Sequence, residues 1–266
     1  MTAPLPPAEG VDLTLIDGVA RIHFRRPGRL NALDLTMTTG FRAAAEAIAA
    51  DPTARVVLLS GEGRAFMAGG DLAWLKASED RAEAARALIG PIHQGLVTLY
   101  DTSLPILSAV QGATAGAGMS LALFADLCVA ADDVQFNLAY LKVGATPDCG
   151  GSWSLRRRVG AGKAMEIALF SETIGAAEAL RLGLVNRVVA APDLETEALA
   201  WARRIAAGPP QATRLTRSLI AGATTAELET QLARELEGFV ACAATEDFGE
   251  ALDAFLGKRR PRFSGR

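Results

Sequence analysis

Two stretches of small residues, each following an apolar run, are the places in this chain best suited to chemistry. Gly112-Ala113-Thr114-Ala115-Gly116-Ala117-Gly118-Met119-Ser120 follows Ile106 to Val110 and leads into a helix-like run, Leu121 to Ala125. Arg64-Ala65-Phe66-Met67-Ala68-Gly69-Gly70-Asp71-Leu72 follows the apolar Arg55 to Ser60. Small residues at a strand end let backbone N–H groups approach a ligand, and a helix N-terminus favours negative charge. Two such loops can aim two N–H donors at one oxygen, as a thioester enolate or tetrahedral oxyanion requires. Tight helix–strand packing also selects small residues, so both readings stand at this point.

Other chemistries fit less well. Gly112, Gly116 and Gly118 resemble a dinucleotide-binding turn, a weak signal alone. That turn lies mid-chain, and its usual Tyr-x-x-x-Lys partner is missing: Leu104 and Gly144 stand four residues after Tyr100 and Tyr140. There is no Gly-x-Ser-x-Gly elbow. His23 falls inside a predicted strand and His93 inside a predicted helix, and no His/Cys/carboxylate group has ligand spacing, so no metal is expected.

The elements that must position these loops follow from pattern. Asp17-Gly18 joins Val11–Ile16 to Val19–Phe24 as a hairpin. Asp34 caps a helix from Leu35 to Ala50, and a helix spans about Glu79 to Thr102. Strands are expected at Arg55–Ser60, Ile106–Val110 and Leu127–Ala130, and helices at Ala117–Ala125, Ser152–Arg158 and Lys163–Phe170. Beyond Ala190 only helices remain, at Leu194–Ala207, Gln211–Ala221, Ala226–Ala243 and Glu246–Leu256, broken by Gly208-Pro209-Pro210. The expected organisation is an α/β body over 1–190 and a helical region over 191–266.

Composition narrows the class. With 266 residues, 50% hydrophobic and 21% charged, the chain can bury a sizeable core. A net charge of −3 gives no basic face for nucleic acid. Cys128, Cys149 and Cys242 are sparse and odd in number, fitting free thiols in a reducing compartment. Residues 1–10 lack a basic and apolar leader. The uncharged run Thr102 to Ala125 is long enough to span a membrane, but Pro105, Gln111 and three glycines interrupt it. It reads as strand, turn and buried helix, so no membrane contact and a cytoplasmic location are expected.

Further segments carry a resemblance. Arg26-Pro27-Gly28-Arg29-Leu30-Asn31-Ala32-Leu33, Gly61 to Leu72, Gln111-Gly112 to Asp126, Gly183-Leu184-Val185-Asn186-Arg187-Val188 and Phe255-Leu256-Gly257-Lys258-Arg259 stand in the order of the crotonase (enoyl-CoA hydratase/isomerase) superfamily. The chain resembles that family over nearly its whole length. The resemblance implies a crotonase-like spiral of repeated ββα units with a C-terminal helical trimerisation region, assembled as a homotrimer or a dimer of trimers. It implies an acyl-CoA thioester substrate, an enolate-like intermediate and no cofactor beyond the substrate's coenzyme A. It places the oxyanion hole at the N–H groups of Gly70 and Ala117. Contacts to coenzyme A would come from around Arg25, Leu30, Ala32, Ala68 and Leu72, with Lys258 meeting a phosphate; Lys258-Arg259-Arg260 reads equally as a solvated basic tail.

The chain departs from the family's hydratases. Where they hold water between two glutamates, it has Ser120 and Tyr140. Ser120 is read as helix packing; Tyr140 is either core or an orienter of an acid. Asp148, in Pro147-Asp148-Cys149-Gly150-Gly151-Ser152-Trp153, can cap a helix or act on substrate. Its position and that run resemble the bacterial 1,2-epoxyphenylacetyl-CoA isomerases, which implies a catalytic aspartate moving a proton within an enoyl-CoA. Positions matching His93, Tyr140 and Asp148 in 4-chlorobenzoyl-CoA dehalogenases imply an alternative, nucleophilic aspartate chemistry. His93 is otherwise read as lining the pocket. A weakly catalytic acyl-CoA-binding protein is the third reading.

Overall fold

The computed structural model describes residues 10–266; the leader reading of residues 1–9 lies outside them. Nine strands follow in chain order among the described residues: β1 (Val11–Ile16), β2 (Val19–Phe24), β3 (Val56–Gly61), β4 (Ile106–Val110), β5 (Ala113–Ala115), β6 (Leu127–Ala131), β7 (Gln135–Asn137), β8 (Ile174–Gly175) and β9 (Arg187–Val189). The expected hairpin forms: β1 and β2 pair antiparallel, with Asp17 and Gly18 both at positive φ, as a tight hairpin turn requires. Beyond β2 all pairing in this sheet is parallel, in the order β1-β2-β3-β4-β6-β9.

A second layer grows beside it. Leu33 bridges Gly70, Met67 bridges Thr114, β5 pairs with β7, and β7 with β8. Successive turns of the chain thus feed both the large sheet and the small one, giving the spiral expected from the resemblance. The crossovers carry α1 (Leu35–Ala50), α2 (Leu72–Ala77), α3 (Arg81–Asp101), α4 (Ala117–Phe124), α5 (Gly151–Phe170) and α6 (Ala176–Arg181). The uncharged run at 102–125 resolves into β4, β5 and α4, and among the described residues no helix is long and apolar enough to cross a membrane.

Both faces of the large sheet are buried, so its strands read as continuous apolar runs. Val57, Leu59, Ile106, Val110, Cys128 and Ala130 face the main core with Phe24, Phe41, Phe66 and Met37. Their alternates Val56, Leu58, Leu107, Ala109, Val129 and Ala131 face α7 (Leu194–Ala206), which buries Leu194, Ala198, Ala202 and Ala206 against them. The two helices expected at Ser152–Arg158 and Lys163–Phe170 join as α5, kinked where Gly160 leaves helical geometry. α8 (Pro210–Gly222), α9 (Leu228–Ala243) and α10 (Glu246–Leu256) follow the Gly-Pro-Pro break. Arg217 ties α8 to the body through Asp126 at 2.7 Å and the Tyr100 carbonyl at 3.1 Å.

Candidate active site

The first small-residue loop is held from beneath by Asn31. This side chain is fully buried at positive φ; its Nδ2 donates to the carbonyls of Glu62, Ala65 and Phe66, and its Oδ1 accepts the Arg26 N–H. Gln111 Nε2 donates to the Gly61 and Gly63 carbonyls. Downstream, Ala68 N–H donates to Leu30 O and Asp71 N–H to Leu33 O, while Gly69 O accepts from Leu33. Asp71 then caps α2 through the N–H groups of Ala73 and Trp74 and accepts both terminal nitrogens of Arg26. Partial burial opposes its ionisation, but Trp74 N–H, the Arg26 guanidinium and Ala73 N–H together hold its carboxyl below the usual range. Neither Asn31 nor Asp71 was singled out by sequence reasoning for a role. The Arg26 to Leu33 motif was the only signal toward Asn31.

The second loop docks on the first. Ala115 N–H donates to Met67 O and Met67 N–H to Ala113 O. A Cβ at Gly118 would overlap Met67 O, so glycine there lets the start of α4 touch the first loop. The Met67–Thr114 bridge is parallel, so the two segments run on in the same direction, and a Cβ on Gly69, next to Gly70, would lie 3.8 Å from the Ala117 nitrogen. Gly69 Cα lies 3.5 Å from where a Gly116 Cβ would stand. Gly116 N–H donates to Asn137 O, but among the described residues the N–H groups of Gly70 and Ala117 donate to no protein acceptor. Ala117 is the first residue of α4, where the helix dipole adds to the attraction for an anion.

Asp148 reaches this helix through two hydroxyls. Tyr140 Oη donates to Asp148 Oδ1, and Ser120 Oγ is 3.0 Å from Tyr140 Oη. Ser120 sits on α4 one turn after Ala117 and is fully buried. Ser120 packs in α4 as expected, and its hydroxyl is in addition the inner end of a polar chain. A Cβ at Gly151 would strike Ser120 Oγ, so glycine there keeps the hydroxyl clear. Burial, then the neighbouring Asp148 carboxylate, push the Tyr140 phenol far above its ordinary range. At neutral pH it is a donor, and Asp148 is the acceptor. Asp148 does not cap α5, whose N-cap is Gly150 with no side-chain cap bond. His93, on the exposed side of α3, accepts the Cys149 N–H at Nε2, 3.1 Å away.

The residues expected around coenzyme A divide. Leu30, Ala32, Ala68 and Leu72 border the first loop: Ala68 bonds Leu30, Arg26 bonds the Ala32 carbonyl, and Leu72 opens α2, half exposed. Arg25, just after β2, pairs with Asp12 of β1, its Nε 3.3 Å from that carboxylate. Lys258 is exposed after α10, and no described bond joins it to this group.

Known proteins match this arrangement. The family model for enoyl-CoA hydratase/isomerase matches residues 15–266. A Rhodobacter capsulatus protein named probable enoyl-CoA hydratase is 40% identical over 94% of this chain and 96% of its own. The 1,2-epoxyphenylacetyl-CoA isomerase of Escherichia coli is 34% identical over the same shares. The crystal structure of an enoyl-CoA hydratase from a Polaromonas species superposes with a TM-score of 0.90 at 36% identity, covering 96% of this chain and 99% of that one. On the matched length, the two docked loops and the spiral that carries them, the chain belongs to the enoyl-CoA hydratase/isomerase family.

Proposed function

We propose that this protein is an enoyl-CoA isomerase in which Asp148 moves a proton between carbons of the acyl chain. One observation carries the reading: both positions that hold glutamates in the resembled hydratases are hydroxyls, Ser120 hydrogen-bonds to Tyr140, and Tyr140 hydrogen-bonds to the carboxylate of Asp148. One acid serves a proton shuttle; two-acid water addition needs carboxylates where this chain has Ser120 and Tyr140.

In this mechanism the thioester carbonyl oxygen sits between the N–H groups of Gly70 and Ala117. Asp148 takes the α-proton of a 3-enoyl-CoA, and the electron pair moves onto that oxygen, where both donors and the start of α4 hold the dienolate. Asp148 returns the proton to the γ-carbon, leaving the 2-enoyl-CoA. Tyr140 occupies Asp148 Oδ1 throughout, which leaves Oδ2 for the proton. The substrate brings its own coenzyme A, received along Arg25, Leu30, Ala32, Ala68 and Leu72, and Lys258 meets a phosphate from a neighbouring subunit. No other cofactor takes part.

The test is 3-enoyl-CoA incubated in D₂O and followed by NMR and absorbance, with Asp148→Asn in parallel. Conversion to 2-enoyl-CoA is expected, slowed about 10²–10⁴-fold in the variant. Formation of 3-hydroxyacyl-CoA at a matching rate, or full turnover by Asp148→Asn, overturns the reading.

A further inference from the structure

The peptide bond joining Asp148 to Cys149 is gripped at both ends. Its carbonyl accepts the Gly151 N–H at 2.8 Å, and its N–H donates to His93 Nε2 at 3.1 Å. Cys149 lies at φ 49°, a left-handed conformation that residues with a side chain seldom adopt and that persists only where the surroundings enforce it. Two features accompany it here: the buried Cys149 side chain, 1% exposed, and the bond to His93. The helix under His93 is itself anchored. Ile92, Gly95 and Leu96 are buried, and Gln94 on α3 accepts Arg42 of α1 at 3.1 Å.

We propose that His93 is a positioning residue whose imidazole accepts the Cys149 N–H and so clamps the Asp148–Cys149 peptide. The clamp aims the Asp148 carboxylate at substrate from the backbone side, while Tyr140 fixes it from the side-chain side. This rests on the reading of Asp148 as the proton carrier. Accepting at Nε2 places the ring proton on Nδ1 and occupies the lone pair that a water-activating base would need. The clamp therefore differs from a base, a substrate polariser or a pocket wall.

The substitutions His93→Leu and His93→Gln separate these roles. Leucine keeps the bulk and loses the acceptor; glutamine keeps an acceptor oxygen and loses the base. With 3-enoyl-CoA, His93→Leu is expected to lower kcat about 10–100-fold, the order that a small misplacement of a reacting group costs, with KM within about twofold of wild type. His93→Gln is expected to recover most of that kcat. Wild-type kcat in His93→Leu, or equal losses in both variants, overturns the clamp. A second readout needs no turnover: mass spectrometry of Cys149 after iodoacetamide treatment. His93→Leu should label faster than wild type and His93→Gln should not; unchanged labelling in His93→Leu overturns the proposal. Asp148→Asn is run beside them. If that variant turns over normally the isomerase reading fails by itself, and the labelling result alone decides the clamp.

Discussion

A phenol that stays protonated at neutral pH can only donate to the carboxylate beside it, and this fixes the direction of the Ser120–Tyr140–Asp148 chain. Tyr140→Phe removes the donor but keeps the ring. One lost hydrogen bond of about 1–1.5 kcal/mol predicts about a tenfold fall in kcat, with the acyl-CoA Kd near wild type. Steady-state kinetics and calorimetry on the same samples check it. Ser120→Ala strips the far end of the chain and should cost less than Tyr140→Phe, yet more than nothing. Turnover identical to wild type would return Ser120 to a packing role. In the sequence Ser120 is one small residue among many in α4, and its partner lies twenty residues on in another element. Asp148, by contrast, stands out in the sequence through the resemblance of its position and the Pro147-to-Trp153 run to the 1,2-epoxyphenylacetyl-CoA isomerases; its residue type before a helix reads equally as a cap. Whether it capped that helix could be decided only from the cap itself, which falls to Gly150.

At the scale of elements, the long apolar runs declared themselves. The hairpin, α1 and β4 stand where pattern puts them, and α3 begins two residues later with Asp80 as its cap. The strands of the small layer did not. β5, β7 and β8 are two or three residues long and contain Gly, Ala and polar residues, so they offer no period to read. They exist because neighbouring turns supply partners. The first loop depends on Asn31 in the same way. Asn31→Ala leaves three carbonyls without their donor and should destabilise the fold by at least about 2 kcal/mol in urea melts. Asp71 adds a pH signature. Its folded carboxyl is held below the unfolded value, so its stabilisation is complete above the ordinary carboxylate range and is lost as pH falls through the folded value. The melting-temperature gap between wild type and Asp71→Asn should therefore be steady near neutrality and close as acid is added below about pH 4.

Across the whole molecule, the last two helices expose a row of large apolar side chains. Leu228, Leu232, Leu236, Phe239, Val240, Phe255 and Leu256 are all exposed. An area of this kind on a lone chain marks a surface made for association. The expected homotrimer or dimer of trimers would cover it. Sedimentation velocity on the wild type should show three or six copies, and Phe255→Glu with Leu256→Glu should shift it to smaller species. A wild type that sediments as a single copy would refute that expectation. The helices themselves were plain from their periodicity, and their exposed faces became visible only once the fold showed which sides the body leaves uncovered.

The two loops of the proposed N–H donors are stitched together by main-chain bonds, whereas the Asp148 carboxylate is oriented on a later loop by Tyr140, with one imidazole on the next peptide. In the proposed mechanism, what stabilises the anion is thus written in the backbone, and what is done to the anion is written in a few replaceable residues. Such a scaffold can change its reaction without rebuilding its foundation: the loop that carries Asp148 is an exchangeable tool in a permanent handle.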